Sequence, residues 1–292
     1  MQPIDSRQLE NALQHASCNL KDAGQEAALV SDRGGKQENQ DAFGVFESHD
    51  GARIYVIADG LGGHKGGRIA SAVAVQSIAR LVQQPPTDGQ AGFRFHDPAS
   101  YVAVFHQVNQ DLLAAQSHNP ELSKMRTTLV ILAIRDGLAF WTHVGDVRLY
   151  LFRDRQVAFQ TRDHSVPQML ADSGEIDHSE IRNHPDRSKL LNALGNPACK
   201  PSIPQRYTQL QPGDVFHLST DGFWEWVTEP DMIKYLTCAH PLDEVSKTLE
   251  QQVRQTASEA EPEHDNYSAC HVRIRQASRN QAYWHKTAYK AS

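Results

Sequence analysis

Three short pairs in this 292-residue chain set a carboxylate beside a turn-forming residue at one end of an apolar run. Asp59-Gly60 follows Tyr55-Val56-Ile57-Ala58, and Asp221-Gly222 follows Val215-Phe216-His217-Leu218-Ser219-Thr220. Asp265-Asn266 precedes the run that ends in Val272 and Ile274. A charge at the end of a buried strand is tolerable only when it is paired or bound to a cation. Carboxylates, backbone carbonyls and water are hard oxygen ligands and suit magnesium or manganese. Taken singly, each pair is ordinary turn chemistry. Three in the same context point to a shared ion site. Asp41, which opens a strand, and Asp146, in His143-Val144-Gly145-Asp146, have the same character.

The elements that must position these residues are mostly short strands. Apolar stretches at residues 27–30, 42–46 and 54–58 are separated by turn-rich segments. Residues 127–159 read as four consecutive strands, with Asp136-Gly137 as a hairpin turn. Residues 129–134 are apolar on both faces, which predicts a strand covered on both sides. Further strands are expected at 207–210, 215–218 and 269–274. Helical spacing joins Ala70, Ala74, Ile78 and Leu81, then Tyr101, Phe105, Val108 and Leu112, then Leu242, Val245 and Leu249. A Pro/Gly-rich loop separates the first two helices. Residues 165–200, punctuated by Gly174, Pro185, Gly195 and Pro197, read as an irregular, mobile insert. Residues 1–24 read as a polar N-terminal extension able to form a short helix. Residues 25–276 read as one α/β domain and 277–292 as a solvated, somewhat basic tail.

A formal net charge of −6 with no basic stripe argues against nucleic-acid binding. No leader peptide and no membrane span are visible. Cys18, Cys199, Cys238 and Cys270 are far apart and form no metal or disulfide framework, so a reducing cytoplasm and a monomer are the expectations.

At this point the chain resembles the type 2C metal-dependent protein phosphatases, in their bacterial form. The resemblance rests on ordered blocks. The first is Ser31-Asp32-Arg33-Gly34-Gly35-Lys36-Gln37-Glu38-Asn39-Gln40-Asp41. The second is Ala58-Asp59-Gly60-Leu61-Gly62-Gly63-His64, continuing to Gly67 and Ala70-Ser71. Thr127-Thr128-Leu129 and His143-Val144-Gly145-Asp146-Val147-Arg148 follow, then Asp163-His164-Ser165 and the segment from His184-Pro185 to Ala193-Leu194-Gly195. Ser219-Thr220-Asp221-Gly222 and Asp265-Asn266 complete the series.

The resemblance implies an α/β (α+β) sandwich, with two central antiparallel β-sheets flanked by α-helices and the insert as a flap beside the active site. It implies hydrolysis of phosphoserine and phosphothreonine in proteins with two, or three, Mn2+ or Mg2+ ions. Asp59 would bridge two ions, the Gly60 carbonyl would complete the first, and Asp221 and Asp265 the second. Asp41 would hold ion-bound water, and Asp146 would serve a third ion with Asp221. Two dications roughly 3.5–4 Å apart can activate a shared water and stabilise both oxygens of an in-line displacement, with no phosphoenzyme. Phosphorylated proteins and a cognate bacterial Ser/Thr kinase are the implied partners, and some compact members serve secretion-system signalling.

Several positions depart from the family pattern. Lys36 stands where arginine is usual and keeps the charge without the bidentate fork, so weaker phosphate binding is expected there; its plainer reading is a surface lysine. Gln40 replaces a common glutamate, Arg126 a glycine and Val147 a serine. Leu61 occupies the place of a histidine found in the eukaryotic branch, which leaves His64 as a candidate proton donor. His143 reads as a hydrogen-bonded core residue and His164 as a turn residue. A cysteine-based mechanism would need arginine six residues after a cysteine, and those positions hold Gly24, Gln205, Glu244 and Gln276. Two other readings stay open: a regulatory module of the same fold without turnover, and another two-metal hydrolase. The insert is expected to help select the phosphoprotein substrate.

Overall fold

The computed structural model describes residues 18–21, 24–62, 66–85 and 92–276. Strands β1 Cys18–Lys21, β2 Gln25–Asp32, β9 Arg148–Arg153, β10 Gln156–Gln160, β12 Val215–Ser219 and β13 Tyr267–Ile274 form one sheet, in the order β1-β2-β13-β12-β9-β10. Strands β3 Ala42–Glu47, β4 Arg53–Ala58, β7 Leu129–Arg135, β8 Leu138–Val144 and β11 Thr208–Gln209 form the second, in the order β11-β8-β7-β4-β3. Neighbouring strands pair antiparallel throughout both sheets. The two-residue strands β5 Gly60–Leu61 and β6 Arg126–Thr127 pair beside Asp59.

The hydrophobic pattern dictates how these sheets stack. Successive side chains on a strand point to opposite faces. On β7, Leu129, Ile131 and Ala133 pack with helices α1 Gly66–Gln83 and α2 Pro98–His118, while Val130, Leu132 and Ile134 pack against the other sheet. On β4, Ile54, Val56 and Ala58 face those helices, and Tyr55 and Ile57 face the other sheet. A third core lies beyond the first sheet. There Tyr150, Val215, Tyr267 and Ala269 meet Phe223 and Trp224 of α4 Asp221–Trp224, Met232 of α5 Glu229–Leu236, and Leu249 and Val253 of α6 Leu242–Ala260. The result is a four-layer α-β-β-α sandwich with three apolar layers between its sheets and helices. No described helix is long and apolar enough to cross a membrane.

Several expectations change. The helix expected within residues 1–24 falls outside the described residues except at Cys18–Lys21, which is a strand paired with β2. The sheet therefore includes residues that precede residue 24. The insert is less irregular than its Gly/Pro content suggested. Ser165 caps helix α3 Val166–Ser173, left-handed Gly174 (φ 78°) ends it, and a 3-10 turn spans His178–Asn183. These cap residues are a readable helix signal. The Asp136-Gly137 hairpin turn is present, with φ of 50° and 74°. Asp154 and Arg155 make a second such turn at 51° and 59°, and without a glycine it carried no turn signal.

Candidate active site

Strand alternation places the first two carboxylates. Tyr55 and Ile57 of β4 face the space between the sheets, and so do Phe43 and Val45 of β3. Asp59 and Asp41 continue these two rows, so both arrive at the end of the inter-sheet layer. The backbone there is tightly fixed. The Asp59 carbonyl accepts from the Thr128 amide (2.9 Å) and the Thr127 hydroxyl (2.7 Å), and the Asp59 amide donates to Thr128 Oγ1 (3.0 Å). A Cβ on Gly60 would overlap the carbonyl oxygens of Gly67 and Gln40, so this close crossing requires glycine.

Asp41 is 1% exposed. Its Oδ2 accepts from the Thr220 hydroxyl at 3.0 Å, whereas its Oδ1 has no hydrogen-bond partner among the described residues. Asn39 Oδ1 accepts from the Asp41 amide (3.1 Å), and Asn266 Oδ1 accepts from the Gln40 amide (2.8 Å). Asn266 Nδ2 also donates to the Arg33 and Glu38 carbonyls. Asn266 thus ties the loop bearing Asp265 to the loop bearing Lys36 and Asp41. Gly34 and Gly35 complete the junction, because a Cβ on either would collide with backbone of residues 262–265.

Asp221 begins α4, and its Oδ1 accepts from the Gly222 amide at 2.7 Å. A Cβ on Gly222 would strike the Asn266 carbonyl, which brings the Asp221 and Asp265 loops into backbone contact. Asp265 Oδ1 accepts from the Asn266 amide at 2.9 Å. Exposure rises along the set: Asp41 and Asp146 are buried, Asp59 and Asp221 are partly open, and Asp265 is exposed.

Electrostatics unite these residues more than hydrogen bonds do. Burial, followed by the charges of Asp221, Asp41, Asp265 and Asp146, raises the Asp59 carboxyl well above its ordinary range. Burial, then Asp146, Asp265, Glu225 and Asp41, does the same to Asp221. Asp41 is pushed up to about 7 by burial and by Asp265, against the polar side chains of Ser268 and Thr220, which lower it. Asp146 is also raised to about 7, by burial and then by Asp163. A bound divalent cation would reverse both the desolvation and the repulsion. The orphaned Asp41 Oδ1, the pinched Gly60 backbone and the all-oxygen donor set fit such an ion. Among the described residues no three acidic, thiol or imidazole groups close on one point as a ready-made cage, so carbonyl and water oxygens would share the coordination.

Lys36 lies on the exposed rim of this group, in a turn where its amide donates to the Arg33 carbonyl (3.2 Å). Gln40 reaches inward instead, with its side-chain oxygen beside Gly67. His64 lies outside the described residues. His143 is a core residue, with Nε2 2.9 Å from the Arg162 carbonyl. His164 does more than shape a turn. Its Nδ1 accepts from the Gly145 amide (3.1 Å), its Nε2 lies 2.8 Å from Ser202 Oγ, and its own amide donates to the Gly145 carbonyl. It therefore supports the turn that presents Asp146. Burial and the His143 ring depress it to about 4, so it is neutral at physiological pH.

The sequence reading did not foresee the support behind Asp146. The Asp146 carbonyl accepts from Trp224 Nε1 at 3.0 Å. Arg148 stacks on the Trp224 ring at 3.4 Å and grips Asp163 with Nε and Nη2 at 2.9 and 2.8 Å. Arg187, near the end of the insert, pairs with Glu225 and Glu261, each at 3.0 Å, beside the Asp221 and Asp265 loops. Arg148 and Asp163 stood in the recognised blocks, but nothing in their spacing announced the pairing.

A family model described as Protein phosphatase 2C matches residues 30–261. The chain belongs to this family. Serine/threonine phosphatase stp of Listeria monocytogenes is 31% identical over 220 residues, which cover 75% of this chain and 85% of that protein. The catalytic domain of the serine threonine protein phosphatase PstP, solved in complex with 2 manganese ions, is 25% identical with a TM-score of 0.71, over 87% of this chain and 99% of that one. PppA of Pseudomonas aeruginosa, described as a key regulatory component of T6SS, is 26% identical with a TM-score of 0.66, over 86% and 97%. This member of the family is a protein serine/threonine phosphatase, a hydrolase of a kind that uses divalent metal. The family match ends before Asp265, which the fold nonetheless carries into the carboxylate group.

Proposed function

We propose that this phosphatase hydrolyses phosphoserine and phosphothreonine by direct attack of water, with two Mn2+ or Mg2+ ions and no phosphoenzyme. The observation that carries this reading is the group of mutually repelling carboxylates with a buried oxygen, Asp41 Oδ1, that no donor among the described residues satisfies. Asp59 would bridge the ions, with the Gly60 carbonyl on one and Asp221 and Asp265 on the other. Asp41 would orient coordinated water, and Asp146 would join Asp221 at a third ion. When bound, the ions supply an activated water and positive charge for the phosphoryl oxygens. Thr220 holds Asp41 by its Oδ2, which leaves Oδ1 free to accept from a water. Lys36, on the exposed rim, would contact the phosphate of an arriving substrate as a point charge. The shared backbone contacts of the 34–41, 221–222 and 265–266 loops fix these groups before substrate arrives.

A cognate Ser/Thr kinase would supply the substrates. Likeness to PppA supports, as one setting, a signalling pathway that governs a secretion apparatus. The test is phosphate release from a phosphothreonine peptide with manganese, with and without chelator, beside Asp221→Asn. Release only from wild type with metal is expected. Absence of release from wild type would overturn the hydrolysis, and release indifferent to chelator and substitution would overturn the metal mechanism.

A further inference from the structure

A cavity of about 530 Å3 opens beside the insert and is lined by none of the aspartates. Its walls include Arg148, Arg162, Arg182, His178, Ser179 and Gln168, and Glu229 is the one acidic residue among them. The volume falls within the range of small-ligand sites. Its three guanidinium groups differ in how far they are spent. Arg148, with a side chain 4% exposed, gives its whole fork to Asp163 and to the Tyr150 hydroxyl (3.0 Å) and forms a closed floor. Arg182 is placed by the Val227 carbonyl (3.2 Å) and Glu229 (2.8 Å). Arg162 pairs once, with Asp172 at 3.0 Å, from a side chain 67% exposed. A guanidinium has more N–H donors than Arg182 and Arg162 use in these bonds. With Ser179 and Gln168 beside them, donors outnumber acceptors around the cavity. Such a lining suits a ligand rich in acceptors, and planar forks suit an oxyanion.

The cavity's position says whose oxyanion it would be. Arg148 is two residues beyond Asp146, so the backbone that bears the floor lies within about 7 Å of the backbone that bears one of the carboxylates. The insert residues His178, Ser179 and Arg182 form the opposite wall. A substrate polypeptide with its phosphorylated residue at the aspartates would reach this cavity with a residue about two to four positions away, at roughly 3.3 Å per extended residue.

We propose that this cavity is a second subsite of the phosphatase, which takes an oxyanion borne by the substrate chain near the residue being dephosphorylated. A second phosphoryl group, with more charge and more acceptor oxygens than a carboxylate, would fill it best. The assignment rests on phosphoester hydrolysis at the aspartate group.

The test uses three peptides with one phosphothreonine. One has neutral flanks, one has glutamate two to four residues away on either side, and one has phosphoserine at those positions. Their kcat/KM values are compared as ratios, which cancel any change in overall activity. Wild type should favour the doubly phosphorylated peptide by about tenfold and the glutamate peptide by about threefold, mainly through KM. Arg162→Glu and Arg182→Gln should each bring the ratios towards one. Arg162 is exposed, so its variant remains informative if Arg182→Gln fails to fold. Equal ratios in wild type, or a preference that survives both substitutions, would overturn the subsite. A larger preference for glutamate than for phosphoserine would overturn the phosphoryl assignment. Failure of hydrolysis itself would instead show as no turnover of the neutral-flank peptide.

Discussion

Trp224 stands between two buried ionic groups. On the side of its indole N–H, which donates to the Asp146 carbonyl, lie Asp59, Asp221, Asp41 and Asp146, all with pKa values raised first by burial and then by neighbouring carboxylates: Asp221 for Asp59, Asp146 for Asp221, Asp265 for Asp41 and Asp163 for Asp146. Over its ring lie Arg148 and Arg182, each paired with an acid, Asp163 and Glu229. The second group is charge-balanced within the protein: forks meet carboxylates, and a tyrosine hydroxyl and a backbone carbonyl accept further bonds. The first group has no such balancing cation within the described residues, and the proposed ions would supply it. A fold can hold buried charge in both ways, but only the unbalanced group calls for a cation.

Neutralising one ligand on the unbalanced side gives the largest effect. Asp221→Asn should lower kcat/KM by more than about 100-fold, beyond the loss usual for residues that only support a ligand. In chelated protein the same change should raise the midpoint of thermal unfolding, because it removes a repelling charge. A lower midpoint in chelator would show that Asp221 is paired within the protein and would break the contrast. The pH dependence of chelated protein has the same sign. Asp41 and Asp146 are raised to about 7 when folded, so between about pH 4 and pH 7 the folded state binds more protons than the unfolded state. Stability of the chelated form should therefore fall as pH rises through that window, and saturating manganese should reverse the trend.

On the balanced side the expected loss is in stability. Arg148→Met leaves Asp163 buried without its partner, and breaking a buried pair in this way costs about 3–5 kcal/mol. Arg148→Met with Asp163→Asn should recover much of that loss. Denaturant unfolding measures both, and equal stability of the single and double variants would show that the pair is not the source of the effect.

A third buried group sharpens the contrast from a different charge state. His217 and His271 touch through their Nδ1 atoms at 2.9 Å, are fully buried on adjacent strands, and leave both Nε2 atoms without partners. Burial and, next, the charge of Arg273 depress His271 to about 3. Burial and then His271 hold His217 well below its ordinary value. Both are neutral in the fold, so stability is fully present above about pH 6.5 and is lost as pH falls, by up to about 1.4 kcal/mol per unit for each histidine. Acid titration of unfolding midpoints with saturating metal should show this slope, and His271→Phe should reduce it. An unchanged slope would assign the acid sensitivity elsewhere.

The same contrast explains what could be read from the chain. The unbalanced carboxylates were legible because each adjoins a strand whose alternation is plain, with a glycine or asparagine next to it. The two-sided core of β7 was legible for the same reason, since residues 129–134 are all apolar. The balanced group was not legible: Arg148, Asp163 and Glu229 come from separate segments, and each alone looks like a surface charge. The insert's helix and α5 had readable caps in Ser165 with Gly174 and in Thr228 with Pro230, but polar composition hid their apolar faces. Thr220 was quoted only as part of a block, although its hydroxyl both donates to Asp41 and accepts the Ser268 amide.

The smallest expected effect concerns an exposed cation at the rim of the acidic side. Lys36 is exposed, yet its turn cannot drift, because Gly34 and Gly35 press against backbone of residues 262–265 and the Gly35 amide donates to the His264 carbonyl at 3.1 Å. The position of Lys36 is therefore coupled to that of Asp265, and in the proposed mechanism a phosphate approaching the ions would pass within the field of both. An ammonium group meets a phosphate as a point charge, whereas a guanidinium adds a bidentate fork. Lys36→Ala should raise KM for a phosphothreonine peptide about threefold with little change in kcat, and Lys36→Arg should lower KM by a similar factor. Both variants should unfold at the wild-type midpoint, since Lys36 makes no described side-chain bond that folding would lose. A KM indifferent to both substitutions would return Lys36 to the role of a surface lysine and leave the phosphate at the aspartates to the ions.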